Sequence, residues 1–458
     1  MIFLQTKIPR DILHAMNIRK PFEEKIKNDT AKPKYHFSSP SGLLLDVWGG
    51  IYKDSKYHLF YDTNYDNDPR RMAGAVAHLV SDDMISWQEL PFALVPEEKE
   101  KGELNLNDGF IVMDKQNKPL MFYTRCFEDI NVNREHVAVR GSDDLLLWER
   151  INNNKAVLTM DNHGGPQFLS TWSDVVLFTE NDRTFMIISK CTRTDDNQDM
   201  IPIYEAVDDT LLKWEYKGVF LEHTGECINF VKIKDKWVLI YSPYNNPRYF
   251  VGSFDINNYK FNVEKQGILS YGYVSQGCKL YDISRGFYAT STFKGEGDNT
   301  YIMGWISGFM DTMDWNGCVS YPRMLDLDKE NNLIMQPAKA LENLRKEEIE
   351  FNDTVDLGRS FELDITAKLQ PNESFEIGIE DSFKLEIKNN HFRFNDIEFD
   401  FECSECLDIK MYVDVTVAEI FLCGGKVSVS RCFKQIKDRT PVTLKTEGKI
   451  IKAKAYKF

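Results

Sequence analysis

The sequence has no apolar run that could cross a membrane, since nowhere do about 18 apolar residues follow one another. Its first residues, MIFLQTKIPR, offer an apolar core too short for a secretory signal peptide and no small-residue cleavage site. Together these absences predict a cytoplasmic protein.

Positive charge is also in short supply. Lys and Arg number 56 against 71 Asp and Glu, which gives a formal net charge of -15. Phosphate backbones and anionic lipid headgroups repel such a chain, and no basic stripe interleaved with aromatic residues counters that repulsion. Nucleic acid and membranes are therefore not expected as partners, and the oligomeric state stays open.

Cysteines are few and odd in number, and they lie at positions 126, 191, 227, 278, 318, 403, 406, 423 and 432. Such scatter in a large chain predicts reduced thiols rather than a disulfide framework. Cys403 and Cys406 have C-x-x-C spacing, but no second C-x-x-C or histidine pair accompanies them, so a metal or redox role is not expected. No metal or cofactor is predicted.

Aromatic residues, in contrast, are abundant at 13% of the chain, and a short motif with tryptophan repeats. It reads SDDMISW at 81–87, SDDLLLW at 142–148 and DDTLLKW at 208–214. Between these polar turns lie short segments rich in Tyr, Phe, Val and Ile, which are typical of strands. A period near 60 residues holding four short strands is typical of a β-propeller blade, so the span 36–340 is predicted to form five blades. The alternative is a set of unrelated hairpins.

After residue 350 the pattern changes to alternating strands without the tryptophan turn, which predicts a β-sandwich over 353–458. The stretch AKALENLRKEEIE at 338–350 is the best amphipathic helix candidate, and 341–352 is predicted to be a linker helix. Residues 1–35 form an N-terminal arm. The fold class is therefore all-β, and the apolar segments LIMQP and MLDL are expected to dock the sandwich on the propeller.

Three acidic residues begin strand-like segments in unusual apolar or glycine-rich settings: Asp46 in LLLDVWGG, Asp174 in STWSDVVLF and Glu226 in TGECINF. Burying an ionised carboxylate costs several kcal/mol unless a partner compensates, so such placement needs a reason. The inner strands of a propeller converge on one channel, where acids from different blades meet. One acid per blade suits a glycosidase, whereas singly each acid is an ordinary strand cap.

Several motifs occur in order along the chain. They are LLLDVWGG, YHLFYDTN, HLVSDDMISWQELPFALVP, SDV, EC, GFYATSTF, GWISG…WNGCVSYPRMLDL and YVDVTVAEIFLCGGKVSVSRCF. Together they resemble the motifs of glycoside hydrolase family 32, the invertase, inulinase and levanase group, whose members are five-bladed propellers followed by a β-sandwich. The resemblance extends from about residue 36 to the C-terminal end.

The resemblance implies a retaining fructofuranosidase-like hydrolase that acts on a small carbohydrate. Asp46 matches the nucleophile that forms a fructosyl-enzyme, and Glu226 matches the acid/base. Asp174 matches the acid that holds ring hydroxyls and stabilises the transition state. Such a division needs a proton donor with a raised pKa beside a nucleophile that stays ionised.

The departures from the family motifs concern the sugar pocket. Leu45 and Trp48 replace two asparagines, Asp62 replaces a glutamine, and Ser173 replaces the arginine before Asp174. The family's S-G-S-A box reads DGFI at 108–111, and glycine replaces the aspartate of D-F-Y-A at position 286. The residues expected to contact the sugar instead are Trp48, Asp62, Asp108, Trp172 and Trp305. Trp305 belongs to the segment that resembles the family's W…W-x-G motif.

Three functions are compatible with this pattern. The first is hydrolysis of an unusual fructoside such as a difructose anhydride, with the Trp48 indole stacking on the sugar. The second is an ordinary hydrolase of sucrose or fructo-oligosaccharides. The third is a non-catalytic carbohydrate-binding propeller, which retention of all three acids argues against.

Overall fold

The computed structural model describes residues 8–458 except 67, 69, 98–101, 130–131, 170, 276–284, 311, 404–405 and 439–440. Regular structure in these residues is predominantly β, as the aromatic and β-branched segments predict. The exceptions are α1 (Arg10–Ile26) and the 3-10 helices Asn152–Asn154, Glu296–Asp298, Lys339–Leu344 and Cys423–Gly425. No helix among the described residues combines the length and apolarity needed to cross a membrane.

The first two sheets are antiparallel and follow chain order. The first contains β1 (Gly42–Lys53), β2 (Lys56–Thr63), β3 (Ala75–Ser81) and β4 (Gln88–Leu94). The second contains β5 (Glu103–Met113), β6 (Pro119–Phe127), β7 (Glu135–Gly141) and β8 (Trp148–Arg150). Asp54 and Ser55 join β1 to β2 with φ values of 51° and 60°, the conformation that a two-residue hairpin turn requires.

Three further sheets follow. The third contains β9 (Ser173–Glu180), β10 (Arg183–Ser189), β11 (Cys191–Thr192), β12 (Asp199–Ala206) and β13 (Trp214–Leu221). The fourth contains β14 (Glu226–Ile233), β15 (Lys236–Ser242), β16 (Arg248–Asp255) and β17 (Lys260–Ile268). The fifth contains β18 (Gly286–Lys294), β19 (Thr300–Ser307), β21 (Cys318–Val319), β22 (Arg323–Leu327) and β23 (Leu333–Pro337). Strand β20 (Trp315–Asn316) lies between β19 and β21 in the chain but is not part of this sheet.

The first strands of these five sheets contact one another in a ring. Strand β1 contacts β5, β5 contacts β9, β9 contacts β14, β14 contacts β18, and β18 returns to β1. Strand β20 reinforces this last contact, because it leaves the fifth region to pair in parallel with β1, Gly42 opposite Trp315. Five strands from distant parts of the chain therefore surround one axis.

The repeated tryptophan turn has a common geometry. Met84, Leu145 and Leu211 occupy the same place in the three motifs, and all have φ near 60°. In the second and third motifs the indole N–H donates to the carbonyl of that residue, at 3.0 Å in both. The sequence repeat is therefore also a repeat of backbone conformation.

The remaining strands form two six-stranded antiparallel sheets. One contains β24 (Glu347–Glu350), β26 (Ser360–Lys368), β31 (Leu407–Asp414), β32 (Val417–Leu422), β33 (Val427–Cys432) and β35 (Lys449–Lys457). The other contains β25 (Thr354–Val355), β27 (Ser374–Ile379), β28 (Phe383–Lys388), β29 (His391–Phe394), β30 (Ile397–Asp400) and β34 (Val442–Thr446). Side chains of both sheets, such as Leu363 and Leu385, share one buried apolar core.

The prediction of a linker helix at 341–352, within the amphipathic stretch 338–350, is wrong. Residues Lys339–Leu344 form a 3-10 helix, and the chain then enters β24, which pairs with the final strand β35. The backbone of β24 hydrogen-bonds to a neighbour that lies about a hundred residues later, and such tertiary pairing overrides a weak local helix preference. The alternation of charged and apolar side chains in EEIE suits an edge strand equally well.

Helix α1 lies in the N-terminal arm and is not predicted from the sequence, where Pro21 interrupts the helical pattern. It packs on β4, where the buried Arg19 ion-pairs with Glu89. Beyond the helix, Asp29 accepts a 2.7 Å hydrogen bond from the Trp315 indole. The arm thus contacts the first sheet through β4 and also contacts β20.

The C-terminal sheets dock on the ring through apolar and charged contacts. Leu325 and Leu327 of MLDL and Leu333 and Met335 of LIMQP form a buried cluster with Val417 and others from the C-terminal sheets. Beside this cluster lies a charged network with no exposed member: His36 contacts Asp414 and Glu419 at 3.0 Å each, and Arg323 ion-pairs with Glu419. Burial by itself would lower the pKa of His36, but the carboxylates of Asp414 and Glu419 outweigh burial. The pKa of His36 is therefore raised, which favours the charged imidazolium.

No disulfide is assigned to the eight cysteines among the described residues, and Cys278 lies outside those residues. The Sγ atoms of Cys403 and Cys423 approach to 3.0 Å. Residues 404 and 405 of the C-x-x-C segment are not described. The cytoplasmic location inferred from reduced thiols stays a prediction.

Candidate active site

Four carboxyl groups, carried by four of the five strands in the ring, meet around one lysine. Asp46 lies on β1, Asp108 on β5, Asp174 on β9 and Glu226 on β14, and Lys190 lies between β10 and β11. Lys190 Nζ is 2.9 Å from Glu226 Oε2, 3.6 Å from Asp174 Oδ2 and 3.9 Å from Asp108 Oδ2. The acids predicted from three separate sequence segments therefore converge in space.

Irregular backbone places these side chains. Strands β5, β9, β14 and β18 each carry a β-bulge or register shift that contains a non-glycine residue with positive φ. These residues are Asp108 at 37°, Asp174 at 64°, Cys227 at 51° and Ala289 at 44°. A bulge redirects a side chain, and positive φ costs energy for residues with a Cβ, so strain concentrates where the acids meet.

Asp174 is the most firmly held of the acids. Its Oδ2 accepts the Cys227 backbone N–H at 2.8 Å, and its Oδ1 accepts the Ser173 hydroxyl at 2.7 Å. Burial opposes ionisation, but the Lys190 charge and hydrogen bonds from Asp108, Ser173 and Cys227 lower the pKa of Asp174 below its usual value. Asp174 is therefore an ionised, immobile anion that ties β9 to β14.

Asp108 behaves in the opposite way. Burial, followed by the negative charges of Asp174 and Asp46, raises the pKa of Asp108 well above its usual value. A protonated Asp108 has one O–H, which can donate a hydrogen bond to the carboxylate of either Asp174 or Asp46. Asp108 is therefore a neutral hydrogen-bond donor between two acids.

Asp46 lies at the surface of the cluster that faces the cavity. Burial raises the pKa of Asp46 to about 6, with further increases from the charges of Glu226 and Asp174 and decreases from Asp108 and Lys190. The Cys227 thiol points at Asp46 Oδ2 from 3.8 Å. The raised pKa therefore falls on the predicted nucleophile, the group that the mechanism needs in its ionised form.

An open cavity of about 450 Å³ adjoins Asp46 and Glu226. Its wall also contains Asp62 and Trp305, two of the residues predicted to contact the sugar. The remaining lining residues are Leu45, Arg70, Met72, Ala73, Asn105, Asn107, Tyr244, Tyr273, Ser275 and Tyr288. The cavity combines carboxyl groups, amides and aromatic rings, a composition that suits a sugar.

Two of the residues predicted to contact the sugar, Trp48 and Trp172, do not line the open cavity. Trp48 is 3% exposed, does not line the cavity, and stacks on Tyr123 with ring centroids 6.1 Å apart, its ring pressed against Gly109. Trp172 is fully buried in the core between the second and third sheets, edge-on to His136. The register shifts between Leu44 and Val47 and between Val47 and Gly49 break the alternation of β1 and turn the Trp48 side chain away from the cavity into the space between sheets.

Asp108 and Asp174 lie outside the open cavity, although Asp108 is predicted to contact the sugar and Asp174 to hold its hydroxyls. Both line a separate enclosed space of about 20 Å³ among the inner strands. In this geometry they contact the other acids and Lys190. Direct contact of either residue with a sugar stays a prediction.

The sequence did not reveal the aromatic wall or the central lysine. Tyr273 and Tyr288 stack with ring centroids 3.8 Å apart and face the cavity beside Trp305. Burial raises the pKa of the Tyr288 hydroxyl, and this hydroxyl accepts a hydrogen bond from the Tyr244 backbone N–H at 2.6 Å. The one sequence signal for this wall is the motif GFYATSTF, which contains Tyr288.

A protein-family model described as the glycosyl hydrolases family 32 N-terminal domain matches residues 36–337, well over half of the chain. A sucrose-6-phosphate hydrolase of Vibrio alginolyticus is 25% identical over 92% of this chain and 89% of its own length. A Bacillus subtilis levanase is 24% identical over 79% of this chain and 56% of its own length.

Solved structures give the same answer for the fold. A GH32 beta-fructofuranosidase of Bombyx mori, a variant in complex with sucrose, superposes with a TM-score of 0.80 at 20% identity and covers 99% of both chains. The sucrose-6-phosphate hydrolase of Lactobacillus gasseri superposes with a TM-score of 0.79 at 19% identity and covers 96% of both chains.

Proposed function

Because this chain belongs to glycosyl hydrolase family 32, we propose that it hydrolyses a fructofuranosyl bond with retention of configuration. The observation that carries the proposal is that Asp46 and Glu226, from two different sheets, line one cavity. We further propose that the five sheets are the blades of a propeller and that the two six-stranded sheets form a sandwich. The ring of first strands and the shared C-terminal core support that architecture.

In this mechanism Asp46 attacks the anomeric carbon and forms an ester with the fructosyl group, while Glu226 gives a proton to the departing oxygen. Glu226 then takes a proton from water, and the resulting hydroxide displaces Asp46 and releases fructose. Asp108 and Asp174 do not react. They hold the nucleophile and the strand that carries Glu226 in place.

We propose that the substrate is an ordinary uncharged fructoside, sucrose or a short fructo-oligosaccharide. Trp48, whose stacking on the sugar was one reason to expect an unusual substrate such as a difructose anhydride, lies in the core. A phosphorylated sugar is disfavoured because the carboxyl groups of Asp46 and Glu226 line the cavity. Arg70 lies on the rim, but its guanidinium already binds Asp68 at 2.8 Å and faces Glu128 at 3.6 Å.

The test is incubation with sucrose, inulin and levan, with fructose release measured and its anomeric form followed by NMR at early times. Release of β-fructofuranose by the wild type and its loss in Asp46→Asn are expected. The absence of turnover on every fructoside would contradict the proposal and favour a carbohydrate-binding role.

Sucrose is expected to be cleaved with a kcat/KM at least about tenfold higher than sucrose 6-phosphate. The reason is that the phosphate and the cavity acids repel each other. One pair of like charges near a protein surface costs about 1 kcal/mol or more. Parallel kinetics at 0.05 M and 0.5 M salt provide the check, because screening should narrow the difference. A preference for the phosphorylated sugar would show that a cation recognises it.

Activity is expected to fall on the acidic side of pH 6. Asp46 must be ionised to attack, and burial raises its pKa to about 6, so the active fraction of the free enzyme decreases as pH falls through that value. The measurement is kcat/KM between pH 4 and 8. An acidic limb near pH 4 would mean that Asp46 titrates like an exposed aspartate.

A further inference from the structure

One buried cation serves the whole cluster of acids. Lys190 Nζ lies within 4 Å of three carboxyl groups, and its closest partner is Glu226 at 2.9 Å. No other lysine or arginine among the described residues forms an ion pair with these acids. The Lys190 side chain is only 16% exposed, so water compensates little of the negative charge around it.

The backbone of Lys190 shows how it is placed. It directly follows β10, with φ at 52°, and its neighbour Ser189 pairs with Ser173, the residue before Asp174. Positive φ at a lysine costs energy, and tertiary contacts must maintain it. Here those contacts are the acids, because the left-handed turn directs the side chain from the third sheet toward β14.

We propose that Lys190 is a positioning residue for hydrolysis, whose ammonium group holds Glu226 in place and neutralises the acids around Asp46. The proposal rests on the proposed function, since Glu226 matters only if it transfers a proton. Ser173 stands where the family motif has arginine, so the cation comes from the adjacent strand instead. Lys190 does not line the open cavity and is not assigned a contact with substrate.

The acids share one electrostatic environment. The groups that face Asp46 are Asp62 from β2, Asp108 from β5, Asp174 from β9, Glu226 and Cys227 from β14, Tyr288 from β18, and Lys190. Lys190 is the one cation in this set, and its charge lowers the pKa of the four aspartates. Loss of that charge must therefore make Asp46 harder to ionise and leave Glu226 free to change rotamer.

The first experiment compares Lys190→Met, Lys190→Arg and Lys232→Met. Lys232 is a matched control, because it also pairs with a glutamate at 2.9 Å, Glu180, but lies away from the cavity. In Lys190→Met, we expect kcat to fall about 100-fold with KM changed less than threefold, and the acidic limb of kcat/KM to move to higher pH. Lys190→Arg should recover at least tenfold of the lost kcat, and Lys232→Met should match the wild type.

The second experiment needs no substrate and separates the two proposals. In Lys190→Met the melting temperature should decrease more at pH 8, where Asp46 is ionised, than at pH 5, where Asp46 takes up a proton. Lys232→Met should show a small decrease that does not depend on pH. Should the wild type cleave no fructoside, the proposed function fails, and the melting data still test the neutralising role.

Two results would overturn the role of Lys190. One is a Lys190→Met enzyme with near-normal kcat and an unmoved acidic limb. The other is a decrease in melting temperature that is the same at both pH values, which would indicate only lost packing of the aliphatic stem.

Discussion

Replacement of Asp46 by asparagine is expected to decrease kcat by about 10⁴-fold or more while the protein becomes more stable at neutral pH. The loss follows because an amide cannot form the fructosyl ester, and removal of a nucleophile commonly costs this much. The gain follows from linkage. Burial raises the folded-state pKa of Asp46 to about 6 from an ordinary value near 4, so the folded state binds the proton more tightly than the unfolded chain.

The sign of this effect sets the pH window. As pH rises from about 4 to about 6, the unfolded chain releases the Asp46 proton first, and the folded state loses stability relative to it. Asparagine has no proton to lose, so the melting temperature of Asp46→Asn should exceed that of the wild type above pH 6 and match it near pH 4. Calorimetry at pH 4.5 and 7.5 measures this. A variant that is inactive and also less stable at pH 7.5 would mean that the Asp46 carboxylate is compensated in the folded state.

Replacement of Glu419 by glutamine is expected to lower the free energy of unfolding by about 3–5 kcal/mol, the usual cost when one partner of a buried ion pair is removed. Glu419 accepts hydrogen bonds from Arg323 Nε at 3.0 Å and from the Tyr321 backbone N–H at 2.6 Å, and it contacts His36. All of these groups are buried. Glutamine leaves two cations, Arg323 and the charged form of His36, with one carboxylate fewer.

Glu347→Gln is a suitable control, because that glutamate makes an exposed ion pair with Lys457 at 3.5 Å on an edge strand. Exposed pairs contribute about 0–1 kcal/mol, so the control should unfold like the wild type. Denaturant unfolding monitored by tryptophan fluorescence gives both values. Equal small losses in the two variants would show that the apolar cluster alone holds the C-terminal sheets in place. Kinetics on sucrose should change little in either variant.

The acids were predictable because their positions are marked locally. Asp46, Asp174 and Glu226 each stand in an apolar or glycine-rich segment where an acid is out of place, and ordered motifs surround them. The β-rich fold was predictable for a similar reason, since the tryptophan turn repeats both in sequence and in backbone conformation.

The direction of side chains was not predictable. Trp48 is two residues from Asp46, and strand alternation alone places both on one face; the register shifts in β1 break that alternation. No sequence motif marks Lys190, because its partners are far from it along the chain. Asp174 lies 16 residues before it, Glu226 lies 36 residues after it, and Asp108 lies 82 residues before it. The stretch 338–350 was misjudged because its strand partner is the last strand of the chain.

The ring of first strands has a consequence for how the protein is made. Asp46 and Glu226 emerge early from the ribosome, but β1 acquires its neighbours β18 and β20 only after residue 316 has been synthesised. The backbone N–H groups of Ser39 and Gly42 likewise wait for the carbonyls of Gly317 and Asp314. Such distant pairings form slowly, because the long intervening loop must close first. A nascent chain that ends after Glu226 but before residue 316 contains every acid of the cluster, but the ring that brings these acids together is not yet closed. The chain length at which sucrose cleavage begins during translation would therefore report when the ring closes.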